Sequence, residues 1–321
     1  MKKYSDEVEA ADALKEVYNK LNNDISKIII GQDEVVRLVL ISIFCKGHSL
    51  LVGVPGLAKT LLVSTISQVL DLDFKRIQFT PDLMPSDITG SETLAADRSF
   101  KFVKGPVFAN IVLADEINRT PPKTQASLLE AMQEKSVTIS GVRYPLEAPF
   151  FVLATQNPVE QEGTYPLPEA QLDRFMFNII LDYPAYADEV NIVKNTTKGK
   201  TDTLKPIISA EEIIYFQELI EQVPVPDNVV EYAVNLVHKT RPKGERAADI
   251  TKDLIDWGAG PRASQFLIVG AKCNALLHGK YSPDIEDVQA VALPILRHRL
   301  IKNFKAEAEN VSIDDIIKKL L

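Results

Sequence analysis

Leu50-Leu51-Val52-Gly53-Val54-Pro55-Gly56-Leu57-Ala58-Lys59-Thr60 is the stretch on which the fold turns. An apolar run gives way to a loop with two glycines and a proline, and Lys-Thr then opens a helical pattern. The reading is strand, tight loop, helix. The backbone N–H groups of such a loop, with the helix N-terminus behind them, cradle phosphates. Lys59 is placed to reach the β- and γ-phosphates and Thr60 to set its hydroxyl on Mg²⁺. Gly53, Val54, Pro55, Gly56, Leu57, Ala58, Lys59, Thr60 and the following Leu61 are therefore the expected ATP-binding segment. The usual loop has glycine directly before the lysine. Ala58 is the smallest departure from that, and alanine accommodates a helical conformation well.

A second signal lies downstream. Ile111-Val112-Leu113-Ala114-Asp115-Glu116 is an apolar strand ending in two carboxylates. At the C-terminal end of a strand they face the crevice where ligands bind in open α/β sheets. Asp115 is expected to hold Mg²⁺ through water, and Glu116 to polarise an attacking water.

Around these anchors, apolar segments alternate with helical ones. Strands are expected at 48–52, 74–79, 111–114, 150–155 and 176–180, and helices at 4–27, 33–46, 59–70 and 121–134. Wholly apolar strands suit a parallel sheet covered on both faces. Two hairpins interrupt the alternation, Glu92 to Val103 turning around Ala96-Asp97-Arg98-Ser99, and Ser136 to Pro145 turning around Gly141. After residue 185 the strand signal fades. A polar stretch, Lys194 to Lys205, reads as a linker or loop. Helical periodicity then dominates at 209–222, 226–239, 262–278, 284–299 and 311–320. The expected organisation is an α/β nucleotide-binding domain over 1–187, with the N-terminal helix and the two hairpins, and a helical domain over 188–321.

The chain has 321 residues, 45% hydrophobic and 25% charged, a globular composition with length enough for two domains. No apolar run is long enough to span a bilayer, and the N-terminus lacks the apolar core of a secretory signal. Cys45 and Cys273 are the two cysteines, far apart and with no nearby Cys/His cluster, so neither a disulfide nor a zinc framework is expected. These features point to the cytoplasm and to no direct membrane insertion. The net charge of −8 offers no general attraction for nucleic acid, and no dense Lys/Arg run offsets it. His48, His238, His278 and His298 are scattered without metal-ligand spacing and read as packing or surface residues. Tyr165, Glu160 and Glu162 fall in a loop with a solvated reading.

Taken together, these residues resemble AAA+ ATPases, and more narrowly the MoxR family. The resemblance rests on Gly53 to Thr60, Ala114-Asp115-Glu116-Ile117-Asn118-Arg119, Ala154-Thr155-Gln156-Asn157-Pro158 and Leu167-Pro168-Glu169-Ala170-Gln171-Leu172-Asp173-Arg174-Phe175. It covers nearly the whole chain and includes Ala58. The two hairpins match the helix-2 and pre-sensor-1 inserts of a clade shared with magnesium chelatase and the MCM helicases. It implies a three-layer αβα P-loop domain with a C-terminal all-helical lid. It also implies Mg²⁺-dependent hydrolysis of ATP to ADP and phosphate, with Asn157 as a sensor that aligns the water. A homo-oligomer is implied too, commonly a hexameric ring with ATP at each subunit boundary. Arg174 matches the finger that enters the neighbour's site, or else pairs with Asp173 or Glu169. Arg262, in Gly260-Pro261-Arg262, matches a second sensor reporting hydrolysis to the lid, or is a plain surface arginine. Arg119 is a second interfacial arginine or a local cap. Ile30 and Gly31 stand where the adenine ring packs.

The family implies a chaperone that remodels or activates a client protein complex, often with a partner carrying a von Willebrand factor A metal-dependent domain. Two other readings remain open. A nucleic-acid motor resembling MCM would need basic hairpins, and Arg98, Lys101, Lys104, Lys135 and Arg143 are set against Glu92 and Asp97. A nucleotide-gated scaffold would bind ATP with little turnover.

Overall fold

In the computed structural model, residues 4–94, 98–159, 163–197 and 204–321 are described. Of the sequence expectations, the hairpin residues Ala96 and Asp97, the loop acids Glu160 and Glu162, and positions 198–203 of the polar stretch lie outside them.

The strands in chain order are β1 Ser49–Val52, β2 Phe74–Gln78, β3 Gly90–Leu94, β4 Phe100–Lys104, β5 Ile111–Asp115, β6 Ser136–Ile139, β7 Val142–Pro145, β8 Phe151–Gln156, β9 Phe177–Ile180, β10 Ile255–Trp257 and β11 Ile301–Lys302. Five of them form one sheet in the order β2-β5-β8-β1-β9. The pairs β2–β5, β5–β8 and β1–β8 are parallel, with Leu113 opposite Leu153 and Ser49 opposite Leu153. Ile111, Val112, Leu113 and Ala114 are all fully buried, as expected where helices cover both faces of a parallel sheet. Chain order breaks at β1, which lies between β8 and β9, so a crevice opens at the C-terminal ends of β1, β5 and β8. That is where the loop after Val52 and the carboxylates after Ala114 emerge.

The helices Lys59–Val69 and Pro122–Glu134 follow β1 and β5, close to the expected positions. The two hairpins form as β3–β4 and β6–β7, each antiparallel. They meet through Phe102 stacked on Tyr144, with ring centroids 4.2 Å apart, and a Ser140 to Glu92 hydrogen bond of 2.7 Å. Helix Tyr186–Thr196 occupies residues that the sequence pattern left without an element, including the first part of the presumptive linker. Its N-cap is Ala185, which has no side-chain oxygen, so the usual start signal is missing.

By contact density the chain forms two units that interleave along the sequence. One is Asn19–Pro168 with Ile179–Ile214, and the other is Met1–Tyr18, Glu169–Asn178 and Tyr215–Leu321. This differs from a single change at 187–188, because the short segment Glu169–Asn178 packs with the later helices. The second unit is built on helices Asp227–Lys239, Pro261–Leu277, Ile285–Leu296 and Ile313–Leu320. It also holds the antiparallel pair β10–β11 and the first residues of β9.

His48, at the foot of β1, is a core residue. Its Nδ1 accepts from the Val152 N–H at 3.0 Å, and Nε2 faces the Met132 carbonyl at 3.4 Å. The ring is therefore the neutral Nε2–H tautomer, and burial pushes its pKa down from 6.5 to about 4. The folded state resists the proton more than the unfolded chain does. Stability from this residue is complete above pH 6.5 and drains as pH falls toward 4, by about 3 kcal/mol in all and about 2 kcal/mol between pH 7 and pH 5. Denaturant melts at these two pH values should show this loss, and His48→Asn should flatten the slope. An equal slope in both proteins would remove His48 as a source of acid lability.

Candidate active site

The loop Gly53–Ala58 leaves β1 and turns into the helix that begins at Lys59. Gly56 has φ +87°, a left-handed conformation that glycine adopts without cost. Ala58 is left-handed as well, at φ +55° and ψ +26°, and the right-handed helix starts only at Lys59. The expectation that alanine sits there in a helical conformation is corrected on this point. Position 58 is the left-handed hinge of the loop, which is why glycine is its usual occupant, and alanine there costs about 1 kcal/mol. Strain of this kind collects at ligand sites. The Lys59 ammonium donates to the Gly53 carbonyl, across the mouth of the loop.

A cleft of about 400 Å³ runs from this loop to the ends of β5 and β8, lined by Pro55 to Leu61, Arg76, Asp115, Glu116 and Asn157. That volume is in the range of small-molecule sites. The structure thus gathers the loop, both strand-end carboxylates and Asn157 into one place. Asp115 Oδ1 accepts from the Thr155 hydroxyl at 2.6 Å, and the same hydroxyl accepts from the Glu116 N–H at 2.8 Å. Thr155, fully buried on β8, therefore sets the spacing of the two acids. Glu116 is left-handed at φ +57°, a second strained position. Its Oε2 accepts from Gln78 at 2.7 Å and from Arg119 at 3.0 Å. The Arg119 bond is an ion pair back to the residue three positions earlier. Asn157 is 5% exposed, and its Oδ1 accepts from the Val159 N–H at 3.1 Å.

The Thr60 hydroxyl and the Asp115 carboxylate are hard oxygen donors on one cleft, the chemistry Mg²⁺ takes. Ile30 and Gly31 border the loop through Gln32, whose Nε2 donates to the Leu57 carbonyl at 3.3 Å. Gly31 has φ +74°, and a Cβ there would meet the Asp188 carboxylate at 2.8 Å, so only glycine fits.

The remaining two predicted residues belong to the other unit, around Asp173. Arg262, in the first turn of helix Pro261–Leu277, donates to Asp173 Oδ2 at 3.1 Å. Arg299 donates to Asp173 Oδ1 at 2.8 Å, and to the carbonyls of Asp173 at 3.0 Å, Phe175 at 2.7 Å and Met176 at 3.3 Å. The Arg299 side chain is 2% exposed. Burial pulls its pKa down to about 10, against the pull of Asp173, and it remains a cation at neutral pH. It thus clamps the backbone on both sides of Arg174. Asp173, the partner considered for Arg174, is engaged by Arg262 and Arg299.

Arg76, Gln78 and Arg299 have no part in the reading of the sequence, and Thr155 enters it only as a member of a quoted motif, with no role assigned. For Arg76 and Gln78 a signal existed. Two polar residues at period 2 on a buried-sheet strand share one face and ask for a partner. Arg299 carried no such mark, since its partner is 126 positions away.

Comparison with known proteins adds to this geometry. Residues 48–177 match the model of the ATPase family associated with various cellular activities (AAA), and 247–320 match the AAA lid domain. The chain is 43% identical over 300 residues to the chaperone MoxR1 of Mycobacterium tuberculosis, covering 93% of this chain and 79% of that one. It is 31% identical over 297 residues to protein MoxR of Methylorubrum extorquens, covering 88% and 86%. The crystal structure of a candidate ATPase from Cytophaga hutchinsonii superposes with a TM-score of 0.91 at 42% identity, covering 97% of this chain and 95% of that one.

Proposed function

The chain belongs to the MoxR family of AAA+ ATPases, and from that premise we propose that it hydrolyses Mg²⁺-ATP as a ring, a hexamer in our reading, and uses the cycle to remodel a client protein complex. The observation that carries the reading is the cleft that brings Pro55 to Leu61 of the loop together with Asp115, Glu116 and Asn157.

In this mechanism the loop amides and Lys59 neutralise the phosphates and hold the γ-phosphoryl group in line. Thr60, and Asp115 through water, would hold Mg²⁺, which would supply charge stabilisation on the phosphate oxygens. Glu116 takes the proton of the attacking water, and Asn157 aligns that water. Ile30 and Gly31 face the base. Arg174 stabilises charge on the γ-phosphoryl group bound to the neighbouring subunit. Arg262, one carboxylate away from the Arg174 backbone, reports loss of that group to the helical lid. The functional division we retain is nucleotide-binding 1–187 and lid 188–321.

The hairpins favour a protein client over nucleic acid. Leu94 and Phe100 face each other across β3–β4 near its turn and are 64% and 72% exposed, and Val103 on β4 and Val142 on β7 are exposed as well. An apolar projection of this kind fits a protein surface, whereas a strand of nucleic acid asks for basic residues and stacked aromatics. A partner carrying a von Willebrand factor A domain, in the cytoplasm, completes the proposal on the strength of the family. No helix among the described residues is long and apolar enough to cross a membrane.

Hydrolysis per subunit measured over a wide range of protein concentration tests the ring. The rate should climb as subunits assemble and share sites. A rate independent of concentration would overturn shared sites, and ATP binding without turnover at any concentration would favour the scaffold.

A further inference from the structure

We propose that Arg76 is a built-in counter-ion for Asp115, which the metal must displace before the site becomes competent; the inference rests on the ATPase reading of the cleft. Arg76 lies on β2, one strand over from Asp115, and lines the same cleft as the phosphate loop. Its Nε and Nη2 both donate to Asp115 Oδ2, at 3.1 and 2.6 Å. An sp² oxygen has two lone pairs, so this one is filled. The other oxygen, Oδ1, is engaged by Thr155 at 2.6 Å. Asp115 therefore has one lone pair left among four, and the oxygen not tied to the buried threonine is the one given to the guanidinium.

The guanidinium is itself oriented. Nη2 also donates to Gln78 Oε1 at 2.6 Å, and Gln78 Nε2 donates to Glu116 at 2.7 Å. Gln78 thus joins the group that holds the metal carboxylate to the group that holds the general base. A divalent cation held at Asp115 through water would expel Arg76 from Oδ2 by charge repulsion and by competition of its bound water for the same lone pairs. Gln78 loses its partner in the same event, and its amide is then free to turn with respect to Glu116. Metal binding and release of the base become one step. The Arg76 side chain is 46% exposed, so it has room to swing out, as a displaceable ion requires.

The sign of the effect separates this role from others. Removing a cation that merely braces the sheet leaves metal affinity unchanged or lowers it. Removing a competitor raises it.

The test is Mn²⁺ affinity in the presence of ADP, followed by electron paramagnetic resonance on the full chain, for wild type, Arg76→Ala and Arg76→Lys. Arg76→Ala should bind Mn²⁺ about tenfold more tightly, the size of a typical coupling between two ligands. Arg76→Lys, which keeps the charge and loses the paired donors, should fall between the two. Unchanged or weaker Mn²⁺ binding in Arg76→Ala, with normal binding in the wild type, overturns the counter-ion role and leaves the ATPase reading intact. Weaker ADP binding at unchanged Mn²⁺ affinity makes Arg76 a phosphate contact and overturns it too. A wild-type chain that binds no Mn²⁺ with ADP overturns both.

Discussion

Glu116→Gln is expected to lower ATP turnover by about 10²- to 10⁴-fold, the range for loss of a general base, with ATP affinity nearly unchanged. The amide keeps the shape of the side chain and can still accept the bonds that Gln78 and Arg119 give to Glu116 Oε2. It cannot take a proton from water. The backbone at 116 is left-handed whichever side chain it carries, and its N–H stays on the Thr155 hydroxyl, so the variant should fold and melt like the wild type. Single-turnover hydrolysis together with fluorescent-nucleotide binding separates the two effects. Turnover within tenfold of wild type would remove Glu116 from the base role.

Arg174→Ala is expected to cost about 10³-fold or more in turnover if it is the finger, within the span for arginine fingers, again without loss of ATP binding. Its surroundings make the measurement interpretable. The backbone from Asp173 to Met176 is held by Arg299 through three carbonyls, and Phe175 is fully buried, so truncating the Arg174 side chain leaves that frame in place. A mixture adds a test that a structural role would not pass. Lys59→Ala subunits lack the phosphate lysine but carry Arg174, and Arg174→Ala subunits have an intact loop. Each alone should be inactive, and mixed rings should recover activity at the boundaries that combine a good loop with a good finger. No recovery on mixing, from proteins that co-assemble, would place Arg174 in its own subunit's site. Wild-type turnover in Arg174→Ala alone would move the finger role to Arg262 or Arg119.

The legible parts of this protein are those where one local segment carries both the fold and the chemistry. A loop of the phosphate-binding kind is written in consecutive residues, here Gly53 to Thr60, because in such loops backbone amides and a helix N-terminus do the binding. Asp115 and Glu116 could be singled out because two carboxylates end a fully apolar strand downstream of the glycine-rich loop, and strand ends of an open α/β sheet border a crevice. The hairpins declared themselves by alternation and turn residues. Ala58 shows the limit of local reading. Its identity is visible, but its left-handed backbone is imposed by the turn from β1 into the helix. The helix Tyr186–Thr196 passed unseen for want of a capping side chain, and β10 and β11, three and two residues long, are too short to leave a periodic trace.

The sequence by itself determined the parallel α/β core, the phosphate loop, the acidic pair and the helical C-terminal region, because each depends on periodicity or spacing within a few residues. Only the tertiary structure decided what surrounds those groups. Arg76 and Gln78 meet the acidic pair across two strands, Thr155 spaces the acids from a third, and Arg299 reaches back 126 positions to grip Asp173. His48 became a neutral core residue because β8 and the end of helix Pro122–Glu134 close over it. The physical reason is common to all of them. A charged or polar side chain has no intrinsic partner, and which one it finds is set by strand order and register, which no single segment contains.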